Sequence, residues 1–196
     1  MATGNSGSDA RGLYSEPALV AEVFAAPYLA YDPSLCLVLA DQAGVCGYVI
    51  GVIDSAEFAT WFNREWRPRL VRQYRDRVVP ADAPDAWLFE FLRRPMTASP
   101  WTKNYPAHLH IDLLPRAQGR GWGRQMVQNW LELAAQRGAT GVHVGVSPIN
   151  RGAITFYERL GMQRLEAPSG AVLFGLPLMP HEAPESVPSP HGGCEE

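Results

Sequence analysis

The chain has 196 residues, 19% of them charged, and a formal net charge of -3. That length suits one domain with a working core, and the charge argues against a strongly basic nucleic-acid binder. No apolar run approaches the ~18 residues that cross a bilayer, and the opening MATGNSGSDARG has no apolar signal core, so a soluble, cytoplasmic protein without a membrane partner is expected.

Residues 1–12 are rich in glycine and serine without periodicity and are expected to form a disordered leader. A helix is predicted over 16–30, with Leu19, Val20, Val23 and Phe24 on one side, ended by Asp32-Pro33-Ser34. The β-branched runs 35–40 and 45–53 predict a hairpin with a four-residue turn, Asp41 to Gly44. Cys36 and Cys46 fall inside these runs and read as small core residues; with Cys194 they form neither a disulfide framework nor a metal-ligand spacing, and no metal is expected.

Over 55–77 the aromatics Phe58, Trp61, Phe62, Trp66 and Tyr74 stand among six arginines. A helix starting at Ser55 and interrupted near Pro68 is predicted, with the aromatic stripe as core and the arginines solvated. The competing reading is a surface for nucleic acid or an acidic partner. A further helix is predicted over 86–92, followed by a proline-punctuated connection through 106.

Residues 107–124, AHLHIDLLPRAQGRGWGR, are the centre of the chain. His108, His110 and Asp112 alternate with Leu109, Ile111 and Leu113, as a pleated strand requires. Gln118, Gly121 and Gly123 follow in the spacing Q-x-x-G-x-G. A helix over 122–137 shows Met126, Val127, Trp130, Leu131 and Ala134 at intervals of three and four, with Gly138 as its stop. Its first-turn N–H groups, its dipole and a glycine without Cβ suit phosphate oxygens, and Arg116, Arg120 and Arg124 add charge. The dinucleotide fingerprint fails because Met126 stands where it needs glycine, and the Gly-Lys-Ser/Thr of the P-loop is missing. A strand is predicted over 141–146, then a helix capped by Asn150 and ended by Gly161, then a closing hairpin over 162–165 and 171–176 around Pro168-Ser169-Gly170. Residues 178–196 are rich in proline, serine and glutamate and are expected to be disordered.

The loop from Gln118 to Gly123 and the later N-x-x-A-x-x-F-Y-x-x-L-G run, from Asn150 through Ala153, Phe156 and Tyr157 to Gly161, stand in the order found in the GNAT superfamily, which this chain resembles. Within it, GYVIGVID, the tryptophan-rich helix and SPINRGAITFYERLGM are similar to the acetyltransferase-like domain of eukaryotic O-GlcNAc hydrolases and its free-standing bacterial relatives. The resemblance implies an α/β (α+β) GNAT fold over 13–177: a mixed, mostly antiparallel central sheet with splayed parallel central strands, flanked by helices. The family's usual first strand is not found before Glu16, so a reduced N-terminal sheet edge is expected.

Acetyl-CoA is the implied cofactor. Its pantetheine arm is expected on the backbone of Asp112, Leu113 and Leu114, its diphosphate on Gln118, Gly119, Arg120, Gly121, Trp122, Gly123 and Arg124, with Asn150, Ala153, Phe156 and Tyr157 completing the site. Tyr157 matches the family's proton donor to sulfur. The base is left among Asp112, His110 and His108, which share a strand face, with His143 behind them. The implied activity is a histone-acetyltransferase-like N-acetyltransferase acting on a small amine or protein lysine through a direct ternary complex. The alternative is a catalytically silent acyl-CoA-binding module; a nucleic-acid binder ranks last. Exposed strand edges leave a homodimer open.

Overall fold

The computed structural model describes residues 12–167 and 170–179. The expected leader through residue 11, the Pro168-Ser169 turn, and the tail from 180 with Cys194 lie outside the described residues.

The order is α1 (Pro17–Phe24), α2 (Ala26–Tyr31), β1 (Cys36–Asp41), β2 (Gly44–Val52), α3 (Ser55–Trp61), α4 (Arg67–Gln73), α5 (Ala86–Arg93), β3 (Ala107–Leu113), α6 (Trp122–Gln136), β4 (Gly141–Val146), α7 (Arg151–Arg159), β5 (Gln163–Leu165) and β6 (Val172–Pro177). Six strands form one sheet in the order β1-β2-β3-β4-β6-β5. Neighbours are antiparallel except β3 and β4, which are parallel. Among the described residues the first strand is β1, at one edge of the sheet, and two helices precede it.

Three local expectations are corrected. The helix over 16–30 is two helices, because Ala25 leaves helical geometry at φ -135° and Pro27, in the first turn of α2, lacks the N–H that would continue α1. The hairpin turn has two central residues, since Asp41 pairs with Gly44. The helix α3 does start at Ser55, capped by Asp54, which accepts from the N–H groups of Ala56 and Glu57 at 2.8 and 2.9 Å. Proline does not interrupt the next stretch: a π-helical segment, Phe62–Trp66, leads into α4, with Pro68 in its first turn.

Each sheet face carries its own core. On one, Trp130, Val127 and Met126 of α6 pack with Val49, Leu109, Val142 and Phe174, and Trp130 Nε1–H donates to the Leu35 carbonyl at 3.0 Å. Close packing of α6 on β2 needs Gly51, where a Cβ would collide with the Trp130 ring and the His108 carbonyl. On the other, Leu19, Val23 and Tyr28 pack with Phe58, Phe62, Leu70 and Leu88 over Ile50 and Val52. The aromatic stripe over 55–77 is therefore core. Several of its arginines are engaged locally: Arg67 with the Leu92 carbonyl, Arg69 over Trp66, Arg77 with Glu16.

Candidate functional site

Parallel pairing of β3 with β4 is confined to Ala107 with Val142 and His108 with His143, after which the two strands part. The Leu114 N–H donates to the Cys46 carbonyl at 2.8 Å, which fixes the phase of the antiparallel pairing with β2. Hydrogen-bonded pairs alternate along such a ladder. The backbone of His108, His110, Asp112 and Leu114 is thus turned to β2, while that of Leu109, Ile111 and Leu113 is turned to the open side. Of the three residues whose backbone is expected to hold the pantetheine arm, Asp112 commits its main chain to β2 and Leu114 its N–H, while the Leu114 carbonyl accepts from Ala117 N–H at 2.8 Å; Leu113, with Ile111, is turned to the open side. The alternation was legible in the sequence, but its phase was not.

The gap opens into a cleft of about 710 Å³ lined by Ile111, Asp112 and Leu113 of β3, the glycine loop, Asn150 and α7. Gly119 and Gly121 have φ of +72° and +83°, and a Cβ on either would point into open space. Gly121 precedes α6, which has no side-chain cap, so its first-turn N–H groups are left without intrahelical partners. Gln118 Nε2 donates to the Leu113 carbonyl at 2.8 Å and ties the loop to the end of β3. Gly123 has a different reason: a Cβ there would press on Leu113 and Phe156 at 3.2 and 3.3 Å.

Of the expected cofactor residues, Asp112, Leu113, Gln118, Gly119, Gly121, Gly123, Arg124, Asn150, Ala153, Phe156 and Tyr157 line this cleft. Leu114, Arg120 and Trp122 do not, and the Trp122 side chain is exposed. Arg116 is diverted to Asp41, at 2.8 Å, and to the hairpin carbonyls of Gly44 and Val45. Ile111, Gly152, Arg159 and Leu160 are lining residues that the motifs missed. Asn150 caps α7 with its side-chain oxygen, accepting from Ala153 N–H at 3.0 Å, and its Nδ2 carries donors that a ligand can use.

Tyr157 is buried at the cleft wall beside Phe156 and Phe174. Burial, and then the charge of Asp112, raises its phenol pKa, so it stays protonated at neutral pH. Asp112 accepts from the Tyr48 hydroxyl across β2. His110 and His108 lie behind Asp112, away from the cleft lining, on Tyr28: its hydroxyl stands 2.8 Å from His108 Nε2 and 2.9 Å from His110 Nε2. Burial, and then His143, pushes His110 down to about 4. His108 is held well below its usual range by burial, then by His110 and His143. Both are neutral at pH 7. Burial also lowers His143, whose Nδ1–H donates to the Tyr105 carbonyl at 2.6 Å.

The sequence profile of the acetyltransferase (GNAT) family matches residues 9–162. Protein O-GlcNAcase of Rattus norvegicus is 23% identical over 172 residues, 84% of this chain and 19% of that protein, so the chain spans about a fifth of that relative's length. An uncharacterized N-acetyltransferase of Methanocaldococcus jannaschii is 38% identical over 69 residues, 35% of this chain and 30% of that one. Among solved structures, the crystal structure of SsHAT superposes with a TM-score of 0.83 at 36% identity, covering 90% of this chain and 89% of that chain.

Proposed function

We propose that this chain, which belongs to the acetyltransferase (GNAT) family, is an N-acetyltransferase that uses acetyl-CoA to acetylate an amine, on a small molecule or a protein lysine, directly within a ternary complex in the β3–β4 cleft. The observation that carries the reading is the parting of β3 from β4 beside an uncapped α6 whose entry glycines leave open space. That cradle fits a diphosphate with a slender arm.

Bound acetyl-CoA supplies a thioester-activated acyl carbon and a thiolate leaving group. The first-turn N–H groups of α6 and the loop around Gly119 and Gly121 hold the diphosphate oxygens, with Arg124 adding charge at the wall. Ile111 presents its main-chain N–H and C=O to the amides of the arm, and Asn150 contributes Nδ2. Tyr157 gives its phenolic proton to the departing sulfur. The amine proton passes to the polar face of β3, where Asp112 meets the cleft and His110 stands behind it. As the C–N bond forms the C–S bond breaks; the proton taken up on β3 returns through solvent to Tyr157, leaving an amide and a free thiol.

The test is thiol release from acetyl-CoA with a panel of amines and histone-like peptides, for the native chain and Tyr157→Phe. Acceptor-dependent thiol in the native chain, falling by about 10²-fold or more in the variant, supports the reading. Tight binding without acceptor-dependent thiol overturns it in favour of an acyl-CoA-binding module.

A further inference from the structure

Ser55, His108, Tyr28 and His110 form one continuous chain of hydrogen bonds across the sheet face opposite α6, and its direction can be worked out from one end. Ser55 Oγ lies 2.6 Å from the Pro106 carbonyl oxygen. A carbonyl only accepts, so the single hydroxyl proton of Ser55 is spent there. His108 Nδ1, 2.7 Å from the same Oγ, must therefore be the donor. A neutral imidazole that donates from Nδ1 accepts at Nε2. Tyr28, 2.8 Å away, gives its only proton to that nitrogen. With the Tyr28 proton spent, His110 Nε2, 2.9 Å from the phenol oxygen, has to donate. The last ring in the series is left with its lone pair on Nδ1, a nitrogen with no bond to any described residue.

We propose that Ser55 and Tyr28 are positioning residues that lock His108 and His110 in opposite tautomers, leaving His110 Nδ1 as the proton-accepting nitrogen of the pair. This rests on the acetyl-transfer reading for its catalytic meaning, but the lock itself does not. His108 is removed as a base, since both its nitrogens are engaged. When the amine proton arrives on His110 Nδ1, no other proton needs to move: the Nε2–H bond to Tyr28 is already in place and strengthens as the ring becomes cationic. The ionisable groups facing His110 are His108 and Asp112 on β3, Tyr48 on β2, His143 on β4 and Tyr28 on α2. Burial keeps the Tyr28 phenol protonated well above neutral pH, so it acts as a fixed relay and not as an acid.

Histidine-labelled protein studied by long-range ¹H–¹⁵N correlation reads the tautomers directly, with no ligand needed. The expected result is His108 protonated on Nδ1 and His110 on Nε2 in the native chain. In Tyr28→Phe, which keeps the ring that stacks on Phe58, His110 becomes a mixture of tautomers. Its kcat falls about tenfold, the kinetic worth of one hydrogen bond, and the acidic limb of its pH profile shifts while KM for acetyl-CoA holds. Ser55→Ala releases His108 and Ser55→Thr restores it. A native His110 protonated on Nδ1, or a Tyr28→Phe spectrum identical to the native one, overturns the lock. Altered tautomers with an unchanged pH profile overturn its role in transfer. A native chain without turnover refutes the acetyl-transfer reading instead, and the spectra still decide the lock.

Discussion

Gly121→Val and Gly138→Val form a matched pair that separates backbone strain from ligand exclusion. Both glycines have left-handed geometry, with φ of +83° and +88°, and at both a Cβ would meet nothing within 4 Å. They flank opposite ends of α6, Gly121 at the cleft and Gly138 just past the last turn. A β-branched residue in that region costs about 1–2 kcal/mol. In a domain of this size that corresponds to a Tm lower by about 2–8 °C, equally for both variants. Only at Gly121 does the new side chain stand where the diphosphate must approach. If it displaces two main-chain N–H bonds to charged oxygens, each of about 1.5–3 kcal/mol, acetyl-CoA affinity falls by about 10²- to 10⁴-fold. Titration calorimetry with acetyl-CoA measures this, with thermal melts in parallel. Equal affinity in both variants, or an equal loss in both, would refute the assignment of the loop to the diphosphate.

Two further outcomes follow from packing and burial. Gly51→Ala should cost about 1–3 kcal/mol, seen in chemical denaturation, because the added Cβ collides with Trp130 and the His108 carbonyl; an unchanged midpoint would show that α6 does not seat on β2 as described. Stability should fall as pH drops from about 6.5 toward about 4, because the folded chain holds His110 neutral down to about 4 while the unfolded chain takes up its proton near the ordinary value. His108 acts in the same direction. Melts at pH 7.5, 6 and 5 follow it, and a slope left unchanged by His110→Gln would count against the burial of that ring.

Much of the site was visible in the sequence because its parts are local. Alternation in β3, the periodicity of α6, the glycines before it and the Asn150 cap each depend on residues a few positions apart. Those short-range patterns suffice to place a glycine loop between a strand and a helix and to single out Tyr157 and Asp112, which line the cleft beside it. Tertiary structure decided the remainder. The phase of β3 against β2, which gives Ile111 rather than Leu114 to the cleft, is a register between strands and is not encoded in either strand alone. Arg116 is the natural third charge of the loop by spacing, yet a carboxylate 75 positions upstream takes it. The histidines look equivalent along the strand; Tyr28, 80 residues before His108, and Ser55, 53 before it, make them unlike. Side chains brought together from such distances leave no periodic trace, so the direction of a proton could be learned only once the chain had folded around it.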